Sequence, residues 1–365
     1  MNQFIPPAKP LIGEEEVEAV SAVLRSGMVA QGPQVAAFED EFSPWAGNAK
    51  CIAVNSGTSA LHLGLLAAGV GPGDEVIVPS FTFAATGNSV AITGASPVFA
   101  DIDDDTFCLN PASVEASITS RTKAIMPVHL YGHPAAMAEL QRVADAHGLA
   151  VFEDAAQAHG ASLDGKKVGS FGQFAAFSFY PTKNMTAGEG GMVTTTSDEI
   201  ARRVQLLRNQ GMEKRYSNEL VGLNNRMTDI HAAIGRVQLK KLAEWTSARQ
   251  ENARFLDDNL EGVVVPPVAA GAVHVYHQYT IRVQSTDRDS FMTALRDEYN
   301  VGSGVYYPIP NHRLPSLAPF AQGLDLPATE KAASEVVSLP VHPALSRHEL
   351  ERIVEAVNAC ARAGA

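Results

Sequence analysis

The chain has 365 residues, 45% of them hydrophobic and 19% charged, an ordinary globular balance with room for a large domain and a smaller one. Its 28 basic and 40 acidic side chains give a formal charge of -12, which opposes nonspecific binding to nucleic acid or to an anionic membrane. Three cysteines without metal-ligand spacing, an N-terminus lacking a basic and apolar leader, and no apolar run of roughly 18 residues point to a cytoplasmic protein outside the membrane.

The first elements are helical. EEEVEAVSAVLR, residues 14–25, has apolar positions at near-helical spacing, glutamates in its first turn where the helix dipole favours them, and Gly27 as a stop. A second amphipathic segment runs from Gln34 to Trp45 after the Gly32-Pro33 break. From residue 51 short apolar runs alternate with helical segments: CIAVN, EVIVPS, PVFADI, KAIMPVHL, AVFEDA and FAAFSF read as strands, SGTSALHLGLLAAG and PAAMAELQRVADAHG as helices. Strands apolar throughout imply burial on both faces, hence an α/β fold with a mostly parallel sheet and helices on each side. Ligands of such sheets sit beyond the carboxyl ends of the strands, which nominates the segments 56–59, 80–83, 129–132, 154–159 and 178–183.

Met192 to Thr195 reads as a further strand and Glu199 to Arg208 as a helix. A polar loop leads to a long helix from Thr228 to about Asn259, able to bridge two domains, and Pro266-Pro267 marks the start of a second unit. That unit, with strand-like YTIRV and SGVYY and helix-like DSFMTALRDEY and HELERIVEAVNACA, is a smaller α+β domain. The division expected is a large domain over 1–240 and a small one over 241–365, entered through the long helix.

Several residues carry chemistry in combination. SGTSA stands where a strand hands over to a helix N-terminus, either a well-capped helix or a phosphate site in which Gly57 permits close approach. Asp154 follows a buried strand, where a carboxylate needs a cationic partner, although it could also cap the next segment. Gln157, Phe81 and Ser178 lie at or near strand ends, as ligand contacts or as loop and core residues. Lys183 ends FSFYPTKN, as a surface cation or as an amine held in a pocket for Schiff-base chemistry. Metal chemistry is disfavoured: His129 and His133 are interrupted by Gly132, and neither HExxH nor paired CxxC occurs.

The order of the motifs resembles that of the DegT/DnrJ/EryC1/StrS family of sugar aminotransferases, which depend on pyridoxal phosphate (PLP) and have fold type I. The resemblance runs from IGEEEVEAV through SGTSALHLGLLAAGVGPGDEVIVPSFTF, DIDDDTFCLNP, EDAAQAHGA, FSFYPTKN, GEGGMV and GLNNRM to YPIPNH and SLPVHP, nearly the whole chain. It implies that Lys183 holds PLP as a Schiff base and shuttles protons, that Asp154 pairs with the pyridine nitrogen, that Gln157 contacts the ring hydroxyl and that Phe81 covers one ring face. Gly57, Thr58, Ser59 and Ser178 would hold the phosphate, with Asn224 reaching it from the other subunit of a homodimer. Tyr307 and His312 would face the substrate. Tyr306, in place of a histidine common before YPIP, and Met28 to Gln31, in place of an aromatic-containing stretch, fall where sugar specificity is expected.

The function implied is transfer of an amino group from an amino acid, glutamate, to a nucleotide-linked keto sugar by a ping-pong mechanism. Two alternatives on the same fold are a regulatory or sensor protein without turnover and a sugar dehydratase. The dehydratases replace the Schiff-base lysine, so Lys183 speaks against that reading.

Overall fold

A computed structural model of the protein describes residues 3–363. Seven strands form the main sheet: β1 (Lys50–Val54), β2 (Glu75–Pro79), β3 (Ser96–Ala100), β4 (Thr122–Ile125), β5 (Ala150–Asp154), β6 (Phe174–Ser178) and β7 (Gly191–Thr195). Their spatial order is β1-β7-β6-β5-β4-β2-β3, parallel throughout except at β7, which runs antiparallel to both β1 and β6. Strands β2, β6 and β7 are buried at every position, as continuous apolar runs require when helices cover both faces.

The helices start where local chemistry supplies their first acceptors. Ser56 caps Gly57–Ala67, Ser197 caps Asp198–Arg208, and Thr228 caps Asp229–Asn259, each accepting from a first-turn N–H. The segment expected over Gln34–Trp45 is a helix over Pro33–Phe42 followed by a 3-10 turn over Ser43–Ala46, where Pro44 removes a donor. Gly64 lets its helix lie directly on β6, since a Cβ there would come within 2.3 Å of the Phe174 ring.

The long helix Asp229–Asn259 contributes Leu239 and Leu242 to the core against the sheet, and Ala253 and Leu256 to a second core. That second core is built on the antiparallel pair Tyr279–Arg282 and Val336–Leu339 with the helices Arg288–Asp297 and Arg347–Ala363. It also takes in Ile5, fully buried and bridged to Val301, so the N-terminal segment packs on the small unit rather than on the sheet with which sequence order grouped it. The strand expected over SGVYY does not form; only Gly304 makes a bridge, to Ser338.

Asp229 joins distant parts of the chain. Its carboxylate, 1% exposed, accepts from the N–H groups of Gly32, Gln34 and Val35 at 2.8, 3.2 and 3.0 Å, capping the helix Pro33–Phe42 from a position almost two hundred residues away. Removing it strands three donors at a buried junction. Asp229→Ala should lower stability by about 3 kcal/mol and Asp229→Asn by less, as measured by chemical denaturation.

Candidate active site

The register of the sheet gathers the site at one rim. Asp154 stands beside Ala176 at the end of β5, Ser178 faces Gly191 across β6 and β7, and Val54 faces Gly191 across β1 and β7. The antiparallel β7 therefore brings its first residue to the edge where β1, β5 and β6 end. A Cβ at Gly191 would lie 2.3 Å from the Ser56 carbonyl oxygen, so only glycine lets the β1 turn close over that edge.

At this rim Ser56 Oγ accepts from Ser59 N–H at 3.1 Å, leaving the first-turn N–H groups of Gly57 and Thr58 without an intrahelical acceptor. Gly57 packs against Ser178, whose Cβ would be 2.7 Å from any Cβ added at 57. Backbone donors, the hydroxyls of Thr58, Ser59 and Ser178, and the positive end of the helix dipole could together hold a phosphate.

Asp154 is 4% exposed. Thr86 Oγ1 donates to its Oδ2 at 2.7 Å and Ala156 N–H to its Oδ1 at 3.2 Å, both neutral donors. Burial raises its pKa above the ordinary carboxylate value, an effect opposed by those bonds and by the charge of Lys183. The half-buried Lys183 is affected in the opposite sense: loss of solvent lowers its pKa to about 8, against the pull of Asp154. A carboxylate among neutral donors, an amine of low proton affinity and a phosphate cradle form a donor set that fits a phosphorylated aldehyde with a basic ring nitrogen.

The ring contacts differ from expectation. Phe81 is fully buried, its ring 6.1 Å from Phe107 in the core, because the turn after β2 directs it inward. Phe83, two residues on, is 59% exposed with its ring 6.0 Å from that of Tyr307. Gln157 Oε1 accepts from Tyr131 N–H at 2.7 Å, which fixes its amide so that Nε2 donates to the Tyr307 hydroxyl at 3.0 Å. Gln157 thus engages Tyr307 as well as the rim. Tyr131 holds this arrangement at a φ of 57°, in the left-handed region that a non-glycine residue enters only when its surroundings compel it.

His312 is no open substrate ligand. It is 4% exposed, its Nδ1 pairs with Ser80 Oγ at 2.6 Å and its Nε2 with Glu330 at 2.9 Å, so it joins the YPIPNH segment to the turn after β2. Asn224 is exposed, on a loop that Asn225 pins to the end of β1 through Asn55 N–H at 3.0 Å.

Thr86 and Glu153 escaped the sequence reading. The fully buried Glu153 accepts from His129 Nε2 and from the N–H groups of Gly169, Phe171 and Gly172 at 2.7 to 3.1 Å, fixing the loop that leads into β6. His129 Nδ1 accepts from Ala135 N–H, so its proton resides on Nε2. His159 lies beside Lys183 among Phe42, Phe177 and Phe179, and burial lowers its pKa to about 3; the Ser178 main chain is near, but neither ring nitrogen meets hydrogen-bond geometry. Among the described residues no cluster of three or more His, Cys, Asp and Glu could hold a metal ion, and no helix is long and apolar enough to cross a membrane.

Known proteins are similar to this chain over nearly its whole length. A UDP-N-acetyl-3-dehydro-alpha-D-glucosamine 3-aminotransferase of Acidithiobacillus ferrooxidans is 42% identical, over 94% of this chain and 93% of its own. A pleiotropic regulatory protein of Geobacillus stearothermophilus is also 42% identical, over 94% and 93%. The crystal structure of S. venezuelae DesV in complex with a ketimine intermediate superposes with a TM-score of 0.92 at 40% identity, covering 98% of this chain and 99% of that one. A family model matches residues 10–358, and the chain belongs to the DegT/DnrJ/EryC1/StrS aminotransferase family.

Proposed function

We propose that the protein is a PLP-dependent sugar aminotransferase that moves the amino group of L-glutamate to the ketone of a nucleotide-linked sugar. The observation that carries this reading is the low-affinity amine of Lys183 at the same rim as the buried carboxylate of Asp154. When bound, PLP supplies an electron sink for the carbanion formed at the carbon bearing the nitrogen.

The chain's own groups do the rest. Gly57, Thr58, Ser59 and Ser178 bind the phosphate, and Asp154 holds the positive charge of the ring nitrogen. Phe83 flanks the ring in place of Phe81, and Gln157 with Tyr307 lines its hydroxyl side. Lys183 Nζ would hold the cofactor aldehyde and, when free, would serve as the base that moves a proton between the donor's α-carbon and the carbon on the far side of the nitrogen. Its lowered pKa suits this work, because a neutral amine is available near pH 8. The keto acid leaves before the keto sugar enters and reverses the sequence, giving ping-pong kinetics. A dehydratase has no use for the lysine that this chain retains.

Asn224 completes the phosphate site of a second copy in this reading, which makes the working unit a homodimer. Its loop presents Tyr216 and Val221, 82% and 94% exposed, as apolar surface for that copy to cover. The three free cysteines accord with a reducing cytoplasm. The regulatory name of one relative supports a second reading, a cofactor-binding sensor without turnover.

Purified protein should show a visible absorption band that Lys183→Ala abolishes, and an unchanged band would rule out the cofactor assignment. Glutamate should bleach the band and a nucleotide-linked 3-keto or 4-keto sugar restore it; a band that answers to no amino acid would favour the sensor. Asp154→Asn should lower kcat at least about a hundredfold while leaving the band present, because an amide cannot hold a cationic ring nitrogen. Mixing Lys183→Ala with Asn224→Ala, each inactive alone, should restore part of the activity through hybrid dimers.

A further inference from the structure

The residue after the reactive lysine is fastened to the segment that leads toward the small unit. Asn184 is 3% exposed, and its Nδ2 donates to the carbonyl of Val275 at 2.9 Å. A carbonyl only accepts, so the amide orientation is settled and Oδ1 is left as an acceptor. His277 Nδ1 lies 3.3 Å from that Oδ1, so the His277 proton must reside on Nδ1. Burial lowers the pKa of His277 well below the usual histidine value, with the charges of Lys183, Arg249, His159 and His274 acting the same way, so the ring is neutral and holds one defined tautomer.

The segment that receives this contact is held from several sides. Val275 N–H donates to Gly132 and Gln278 N–H to Tyr131, the residue that orients Gln157. From the long helix, Arg249 donates to the carbonyl of Tyr276 at 3.1 Å and Gln250 to that of His274 at 2.9 Å. Two residues after His277 the chain becomes the first strand of the small core, Tyr279–Arg282. Residues 274–278 are thus a crossing point between the lysine loop, the loop that sets Gln157, and the small unit.

We propose that Asn184 and His277 are positioning residues for Lys183, their hydrogen bond tying the lysine loop to the segment that leads into the small unit. The inference rests on Lys183 being the cofactor lysine. Neither side chain belongs to the phosphate, ring or proton-transfer groups assigned above. Their effect is to limit the positions the amine can occupy.

The test uses full-length protein freed of cofactor and reads Lys183 directly. Modification by trinitrobenzenesulfonate is followed by peptide mass across a pH series, with amide hydrogen exchange over residues 183–187 measured alongside. Asn184→Ala and His277→Phe should each change the Lys183 labelling rate and speed exchange in that segment by about fivefold. His277→Asn, whose amide can donate in place of Nδ1, should stay within about twofold of the parent. Parent-like labelling and exchange in both deleting variants would overturn the proposal, as would His277→Asn behaving like His277→Phe. If His277→Phe does not fold, Asn184→Ala carries the comparison. A missing visible band in the parent would count against the cofactor reading, whereas the exchange data would still decide whether the tether exists.

Discussion

Asp154 sets the requirement that the rest of the rim meets. Its carboxylate is surrounded by protein, and its only hydrogen-bond donors among the described residues are a hydroxyl and a backbone amide. A carboxylate so placed is stable in its charged form only with a cation in reach. Lys183 acts on it, but the same burial reduces that lysine's own hold on a proton, so the pair favours charge weakly from both ends. A ring nitrogen that gained a proton on binding would resolve the conflict and would in turn be kept cationic. The electrostatic need of one side chain would thereby become the affinity and the reactivity of the proposed site.

Backbone contacts rather than side-chain flexibility hold the geometry around that carboxylate. Gly57 against Ser178 and Gly191 against Ser56 bring three strand ends closer than any side chain would permit. Thr86 and Glu153 then lock the elements on either side, one through Asp154 itself and the other through three N–H groups of the loop before β6. A site made this way has little freedom to adjust, which suits chemistry that requires the reacting atoms to be held rather than found.

Much of this was legible in the sequence because it depends on local order. Apolar runs alternating with capped helices specify a parallel sheet, and the parallel sheet places Gly57, Asp154, Ser178 and Lys183 at strand ends before any chemistry is considered. The family resemblance assigned their roles. What escaped the reading depends on contacts between distant segments. Phe81 and Phe83 differ by two positions in one turn, and only the path of that turn decides which is core and which is exposed. His312 looks like a ligand until Ser80, 232 residues away, takes its Nδ1. Thr86 sits in a short helix with no motif of its own, and Ser303 to Tyr307 have strand composition but pair with Val336–Leu339 only at the Gly304 bridge.

The position of β7 has a temporal consequence. The first strand of the sheet to leave the ribosome, β1, pairs among the described strands only with β7, whose residues are made last of the seven. Until about the 195th residue has emerged, β1 is an unpaired ribbon and β6 lacks one neighbour. Gly57 opens the helix after β1 and Ser178 ends β6, so the two sides of the proposed phosphate cradle are synthesised far apart in time. They can lie side by side only once β7 has been made to stand between their strands.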